Sequence, residues 1–516
     1  MNGARALIET LADAGVEVCF TNPGTSEMHF VAALDEVEPM RGILCLFEGG
    51  ATGAADGYAR MADRPAATLL HLGPGLGNGF ANLHNARRAA TPVVNIVGDH
   101  ATYHKRYDAP LESDIDSVAS ACSTFVRRST TTADVARDAA DTVAAAMGSP
   151  RQVATLILPA DVCWSDAPGP VEPTPPVPPG AVADSLVAEV CSALSTPGAV
   201  LLVGGRTMRE AGLVAAARVV AATGARLFSE TFPARHERGA GLPSVERLAY
   251  LAEFAQMQLD GATHLVAVDT PAPVSFFAYP DKASVLTPEG CEVTTVDTTV
   301  DPVALLEAVA TALDAPGDVA VASPARPDRP TGELTSESVA QAIAAQLPDR
   351  AIVVDEANTS GLFLPGATAG GPRHDWLCLT GGAIGIGMPL ATGAAVACPD
   401  RKVLSLEADG SAMYTMQCLW TQARERRDVV TVVFANHSYA VLNMELNRVG
   451  AETIGPKARR MLDLTGPDLD FVALARGMGV KASRALTAED FNEQLEAALA
   501  ERGPVLIEAV IPPLGL

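Results

Sequence analysis

KVLSLEADGSAMYTMQCLWTQARERRDVVTVVFANHS, from Lys402 to Ser438, is the stretch whose reading decides the fold. An apolar strand pattern ends in Asp409-Gly410-Ser411, a helical pattern follows, and a second apolar run, VVTVVFAN, ends at Asn436. A strand, helix, strand unit makes parallel neighbours, and parallel neighbours place their carboxyl ends side by side. Asn436 is therefore expected beside Asp409. A carboxylate, an amide oxygen and the backbone carbonyl of Ser438 are three hard oxygen ligands for Mg²⁺, with phosphate oxygens and water completing the set. Gly410 allows close backbone approach, and amides opening the helix at Ser411 can meet phosphate. An Asp-Gly pair alone is a common turn; the spacing to an Asn at the next strand end is what favours a metal and diphosphate anchor.

Outward from this unit the chain repeats the same alternation. Two proline-dense stretches, DAPGPVEPTPPVPPG (Asp166 to Gly180) and ASPARPDRPTG (Ala322 to Gly332), cannot join sheet interiors and read as connectors. The expected division is 1–165, a linker 166–182, a middle block 183–321, a linker 322–334, and a last block 335–516. Each block alternates short apolar runs with helical patterns, so the predicted class is α/β: three domains, each a mainly parallel sheet flanked by helices. Candidate strands are VEVCFTNPG, GILCLFE, AATLLHLG, PVVNIVGD and VATLILP in the first block. The middle block offers AVLLVGG, ARLFSE, THLVAVD and CEVTTVD, and the last AIVVDEA, WLCLTGG, KVLSLEADG, VVTVVFAN, GVKASRA and PVLIEAV. Ligands of such sheets sit beyond the carboxyl ends of the strands, which directs attention to Asn22 to Thr25, Glu48, His71, Glu356 to Thr359, Asp409 to Ser411 and Asn436 to Ser438.

Composition narrows the function classes. A net charge of −24, with no run of Lys or Arg longer than two, repels a phosphate backbone and argues against nucleic acid binding. No apolar run approaches a bilayer span, and the N-terminal pattern reads as an amphipathic helix rather than a signal peptide, so a soluble, cytoplasmic protein is expected. The nine cysteines are dispersed and never form a CxxC pair. Reduced, buried thiols are expected, without zinc or a disulfide framework.

With these motifs in place, the chain resembles the thiamine-diphosphate-dependent 2-oxo acid decarboxylase and acetolactate synthase family, in a layout similar to benzoylformate decarboxylase. The family signature GDG…NN corresponds to ADG (Ala408, Asp409, Gly410) and AN (Ala435, Asn436), with 25 residues between Gly410 and Asn436. Ala408 and Ala435 replace the flanking Gly and the first Asn. The resemblance extends over VVDEANTSG, LTGGAIGIGMPLATGAA, TGPDLDFVALARGMGV and GPVLIEAVIPP in the last block. In the first it covers TNPGTSEMHF, LFEGGATGAADGYAR, LLHLGPGLGN and VATLILPADV.

The resemblance implies a pyrimidine-binding first domain and a diphosphate-binding last domain, with thiamine diphosphate and Mg²⁺ as cofactors. Glu48 matches the glutamate that bonds the aminopyrimidine and promotes its imino tautomer; following GILCLF, it is expected to be desolvated. A helix-capping glutamate is the competing reading. Ile384 matches the apolar wedge between the two cofactor rings, and backbone near Gly382 would meet the pyrimidine amino group. Asn358 and Thr359 match diphosphate donors, and Gly410, Ser411 and Tyr439 fall among the cofactor-binding positions. His71 matches a histidine that faces the substrate, and Thr25 a hydroxyl that can bind its carboxylate; structural roles compete for both. Phe277, Leu442 and Glu445 fall at substrate-pocket positions. The middle-block stretch TPAPVSFFAYPDK lacks the second histidine of benzoylformate decarboxylase, which favours carboligation. The RFDDR segment of flavin-containing acetolactate synthases is missing too, so FAD is not expected.

The resulting expectation is an enzyme that decarboxylates a 2-oxo acid and transfers the acyl unit to an acceptor, working as a homodimer or homotetramer with active sites between chains. Release of an aldehyde is the alternative reaction. A catalytically degenerate cofactor-binding relative is the alternative of another class, suggested by Ala408 and Ala435.

Overall fold

Strands form where branched apolar runs can be covered on both faces, and in the first sheet Ala66–Leu70, Val93–Asp99 and Val153–Pro159 are buried at every residue. The computed structural model describes residues 1–449 and 455–513. Its first sheet contains β1 (Val18–Asn22), β2 (Arg41–Leu44), β3 (Ala66–Leu70), β4 (Val93–Asp99), β5 (Phe125–Arg128) and β6 (Val153–Pro159), all parallel, in the order β2-β1-β3-β4-β6-β5. Next come β7 (Ala199–Val203), β8 (Arg226–Ser229), β9 (His236–Arg238), β10 (Glu246–Arg247), β11 (His264–Val268) and β12 (Glu292–Thr295). Without β9 these make a parallel second sheet, β10-β8-β7-β11-β12. The third sheet holds β13 (Ile352–Glu356), β14 (His374–Cys378), β15 (Val403–Ala408), β16 (Val429–Ala435), β17 (Lys481–Ala485) and β18 (Val505–Val510), ordered β17-β18-β16-β15-β13-β14-β9.

Every strand expected from the sequence is present, and three were not foreseen. β5 (Phe125–Arg128) lies at a sheet edge, where half of its surface meets solvent and arginines replace an apolar run. β9 and β10 are three and two residues long, too short to carry a periodicity. β9 leaves the middle stretch of chain and pairs antiparallel with β14, His236 opposite Trp376. The Arg238 guanidinium lies 5.0 Å from the centre of the Trp376 ring, which helps hold the added edge.

The first and third sheets meet through two helices, Glu48–Ala62 and Gly387–Ala397, whose backbones touch. A Cβ at Gly57 would lie 2.1 Å from Leu390 O, and one at Gly393 would lie 1.8 Å from Ala54 O, so only glycine fits either side of the seam. Arg60, from the first of these helices, forms a buried ion pair with Asp56 at 2.6 Å and donates to Ala234 O and Cys378 O, tying the middle and last stretches to the first. Just beyond it, Asp63 receives Arg151 and Arg209 at 3.0 and 2.7 Å. No described helix is long and apolar enough to cross a membrane. All nine cysteines carry free thiols, six of them buried.

Candidate functional site

β15 and β16 are adjacent and parallel with Ala408 opposite Phe434, so the residues after each strand emerge together. Asp409 opens the short helix Asp409–Ala412. Its Oδ2 accepts from His437 N at 2.6 Å and its Oδ1 from Gly410 N at 2.8 Å. The carboxyl is 2% exposed; burial raises its pKa, and these backbone N–H groups pull it back. Among the described residues no lysine or arginine forms an ion pair with it. Asn436 donates to Ser360 Oγ at 3.2 Å and accepts from Ser438 N at 2.9 Å through Oδ1. Asn358, in a left-handed conformation (φ +51), donates to Ser411 Oγ at 2.9 Å. Tyr439 lies over Gly410 so closely that a Cβ there would be 2.3 Å from its ring. The structure thus gathers Asn358, Asp409, Gly410, Ser411, Asn436, Ser438 and Tyr439 at one strand-end cluster, with Thr359 half-buried beside Asn358.

The loop carrying Gly382 and Ile384 is held from two sides. Glu356, the last residue of β13, accepts from Gly385 N at 2.7 Å and from Gly387 N at 2.6 Å. From the other side, Asn85 donates to Ala383 O and Asn82 to Gly385 O, both from the helix Leu72–Arg88. Ile384 is half-buried and packs against an apolar cluster that includes Leu379, Ile386 and Leu390. Glu407 stands opposite Glu356 in strand register. Burial raises both carboxyls, and the charge of Glu356 raises Glu407 further; Glu356 holds the loop, while Glu407 accepts from Ser405 Oγ at 2.6 Å.

A second cluster forms at the carboxyl ends of the adjacent strands β2, β1 and β3. Glu48 is the first residue of its helix, 7% exposed, and Asn78 Nδ2 donates to its Oε2 at 3.0 Å. His71 follows β3 directly, and its Nδ1 lies 2.8 Å from Glu27 Oε2. Glu27 Oε2 also accepts from Gly24 N at 2.8 Å, while Oε1 is buried with no hydrogen-bond partner. Burial raises the Glu27 carboxyl, and His71 draws it back down. Gly98 leaves room for this carboxyl group, since a Cβ there would stand 1.7 Å from Glu27 Oε1 and displace it. Thr25 is exposed on the same turn as Glu27. The sequence pattern does not single out Glu27, Asn78 or Ser360, because the distant partner of each appears only in the fold. Among the described residues no hydrogen bond joins Glu48 or His71 to the Asp409 cluster.

Of the three pocket positions, Phe277 and Leu442 are exposed, whereas Glu445 is tied down. Tyr279 OH donates to Glu445 Oε2 at 2.5 Å, and Arg448 lies 3.5 Å from its other oxygen and 4.5 Å from the centre of the Tyr279 ring. Burial and the bonded Glu445 push the Tyr279 hydroxyl up to about 12. The helix Ala440–Arg448 is thereby fastened to the middle stretch of chain.

Two family models match this arrangement, the N-terminal TPP-binding domain of thiamine pyrophosphate enzymes over residues 1–120 and the C-terminal TPP-binding domain over residues 367–509. A Mycobacterium tuberculosis protein provisionally assigned as the acetolactate synthase large subunit IlvX is 60% identical over the full length of both chains. The chain belongs to the thiamine pyrophosphate enzymes. Within that family, benzoylformate decarboxylase of Pseudomonas aeruginosa is 31% identical over 98% of this chain and 97% of its own. Among solved structures, a thiamine diphosphate-dependent 4-hydroxybenzoylformate decarboxylase from Rhodococcus jostii superposes with a TM-score of 0.86 over 99% of both chains at 22% identity, a likeness of fold. The protein is therefore an enzyme of the group of thiamine pyrophosphate enzymes that holds 2-oxo acid decarboxylases and acetolactate synthases.

Proposed function

We propose that this enzyme decarboxylates a 2-oxo acid and transfers the acyl unit to an acceptor carbonyl compound, as an acetolactate-synthase-like carboligase using thiamine diphosphate and Mg²⁺. The observation that carries the reading is Asp409, a buried carboxylate hydrogen-bonded among the described residues by backbone N–H groups, at the strand end next to Asn436 and Ser438. A buried anion in that state fits a divalent cation. Asp409, Asn436 and the Ser438 carbonyl would hold Mg²⁺; Asn358, Thr359, Gly410, Ser411 and Tyr439 would hold the diphosphate. The loop at Gly382 and Ile384 would receive the rings. Bound there, the cofactor would supply a nucleophilic carbon and an electron sink for decarboxylation.

The chain's own groups do the proton work. Glu48, sequestered from water and oriented by Asn78, holds a proton against the aminopyrimidine. His71 is fixed through Nδ1 by Glu27, which leaves Nε2 to face the substrate carbonyl, and Thr25 receives the carboxylate. Among the described residues no hydrogen bond joins Glu48 to the Asp409 cluster within one chain, which supports sites completed between two chains of a homodimer or a larger homo-oligomer. The domain boundaries proposed are 1–165, 183–321 and 335–516.

Simple decarboxylation to an aldehyde is the second reading, supported by the near full-length similarity to benzoylformate decarboxylase. Purified protein incubated with thiamine diphosphate, Mg²⁺ and a panel of 2-oxo acids, with and without aldehyde or 2-oxo acid acceptors, separates the two when CO2 and products are followed by mass spectrometry. Carboligation products exceeding free aldehyde support the first reading; aldehyde alone supports the second. No CO2 from any acid, with no cofactor-dependent thermal stabilisation, would remove both.

A further inference from the structure

The carboxyl end of the second sheet has the form of an anion seat and is filled by the protein itself. In the order β10-β8-β7-β11-β12, the chain passes from β7 to β8 on one side and later returns to β11 on the other, so the strand order reverses at β7. In open parallel sheets such a reversal opens a crevice beyond the strand ends, and the turn after the first strand offers its N–H groups to a ligand's phosphates. Here that turn is Gly204-Gly205-Arg206, and its N–H groups are already engaged. Gly205 N donates to Glu230 Oε1 at 2.8 Å, and Arg206 N donates to Asp269 Oδ2 at 2.6 Å. Glu230 follows β8 and Asp269 follows β11, so one carboxyl group comes from each side of the reversal.

The glycines of the turn serve these side chains rather than a ligand. A Cβ at position 204 would lie 2.5 Å from Glu230 Oε1, and one at 205 would lie 2.4 Å from Asp269 Oδ2. Asp269 adopts φ +55 to reach its place. Beside the turn, a cavity of about 380 Å³ is lined by Arg206 and Arg209 but also by Asp301 and Glu307. Arg209 is committed to Asp63 at 2.7 Å, and Arg206 stands 3.9 Å from Asp301. Two acids thus line the cavity and two more occupy the turn beside it, where a dinucleotide would bring two negative phosphates. Both carboxyl groups are half-buried, and burial is the leading cause raising Glu230 to about 8 and Asp269 to about 6, while the backbone bonds oppose it.

We propose that Glu230 and Asp269 are internal substitutes for the phosphates of a dinucleotide, so that the second sheet of this enzyme takes neither FAD nor an adenine nucleotide. Any carboligation it performs is then flavin-free. The thiamine diphosphate reading stands or falls separately, because it rests on a different sheet.

The test uses the full-length enzyme with thiamine diphosphate and Mg²⁺ present, so that the Asp409 cluster does not compete for added diphosphates. Expected results are no flavin absorbance in the purified protein and no rise in melting temperature with FAD or ADP. E230A/D269A, which frees both N–H groups, is expected to gain at least about tenfold in ADP affinity by calorimetry. E230A and D269A singly serve the same purpose if the pair does not fold. Co-purifying flavin, or stabilisation of the unaltered enzyme by FAD or ADP, overturns the proposal. So does a folded variant that binds ADP no better than the unaltered enzyme.

Discussion

The third sheet and the second sheet end their central strands in the same way, with acids just beyond the carboxyl ends, yet the acids meet opposite surroundings. Asp409 is met by backbone N–H groups, and the neighbouring strand end brings the Asn436 amide oxygen and the Ser438 backbone beside it, oxygen donors that suit a cation. Glu230 and Asp269 instead turn inward onto the glycine turn and use the N–H groups that a phosphate would need. The architecture creates a crevice in both places. What the crevice can hold is decided by whether the side chains next to it leave hydrogen-bonding capacity toward the ligand or spend it on each other.

The largest effect expected to sharpen this contrast comes from the acids themselves. D409A should lower turnover by about 10³-fold or more and abolish Mg²⁺-dependent thermal stabilisation by thiamine diphosphate, whereas D269A should leave kcat within about threefold. Comparable losses in the two would erase the distinction. E48Q should reduce turnover by about 10² to 10⁴-fold while cofactor-dependent stabilisation persists. Exchange of the cofactor's acidic C2 proton, followed by NMR, should slow in parallel; unchanged exchange would displace Glu48 from its assigned role.

A smaller but sharper signal comes from mixing. Co-expressed E48Q and D409A chains should recover about one quarter of normal activity if sites form between chains, since half of random dimers pair unlike chains and each such dimer has one intact site. No recovery would place both halves in one chain. E27Q should lower kcat about tenfold with little change in KM, because it loosens His71 without touching substrate.

The smallest expected effect is on stability. Glu230 is raised from 4.5 to about 8 in the folded protein. The native state therefore binds the proton more tightly than the unfolded chain, so stability is full below pH 4.5 and declines as pH rises toward 8. E230Q should flatten the decline in melting temperature between pH 5 and 8 by the equivalent of about 1 kcal/mol. A slope equal to that of the unaltered enzyme would mean that Glu230 titrates normally.

Much of this was legible in the chain because parallel α/β units write themselves locally. The apolar runs of β1, β3, β4, β6 and β13 to β16 announced the strands. The 25 residues between Gly410 and Asn436 correspond to one crossover, which must return the second strand beside the first. Glu48 is flagged by its place at a strand end after an apolar run, while its role comes from the family resemblance. The Glu27 and His71 pair was not legible, since its members are 44 residues apart and neither strand pattern states which side chain turns toward which. The short strand β9 crossed from the middle stretch to the third sheet with three residues and no periodic signal.

The sequence by itself determined the three mainly parallel sheets, the strand ends at which chemistry could occur, and the emergence of Asp409 beside Asn436 and Ser438. These depend on patterns of period and spacing within single β-α-β units. Only the tertiary structure decided that Glu356 carries the Ile384 loop, that Glu27 fixes His71, and that the second sheet's crevice is closed by Glu230 and Asp269. Those outcomes depend on strand register and on close approaches at glycines such as Gly98, Gly204 and Gly205, where a Cβ would come within 2.5 Å of a side chain from a distant segment. Local patterning carries no record of such meetings.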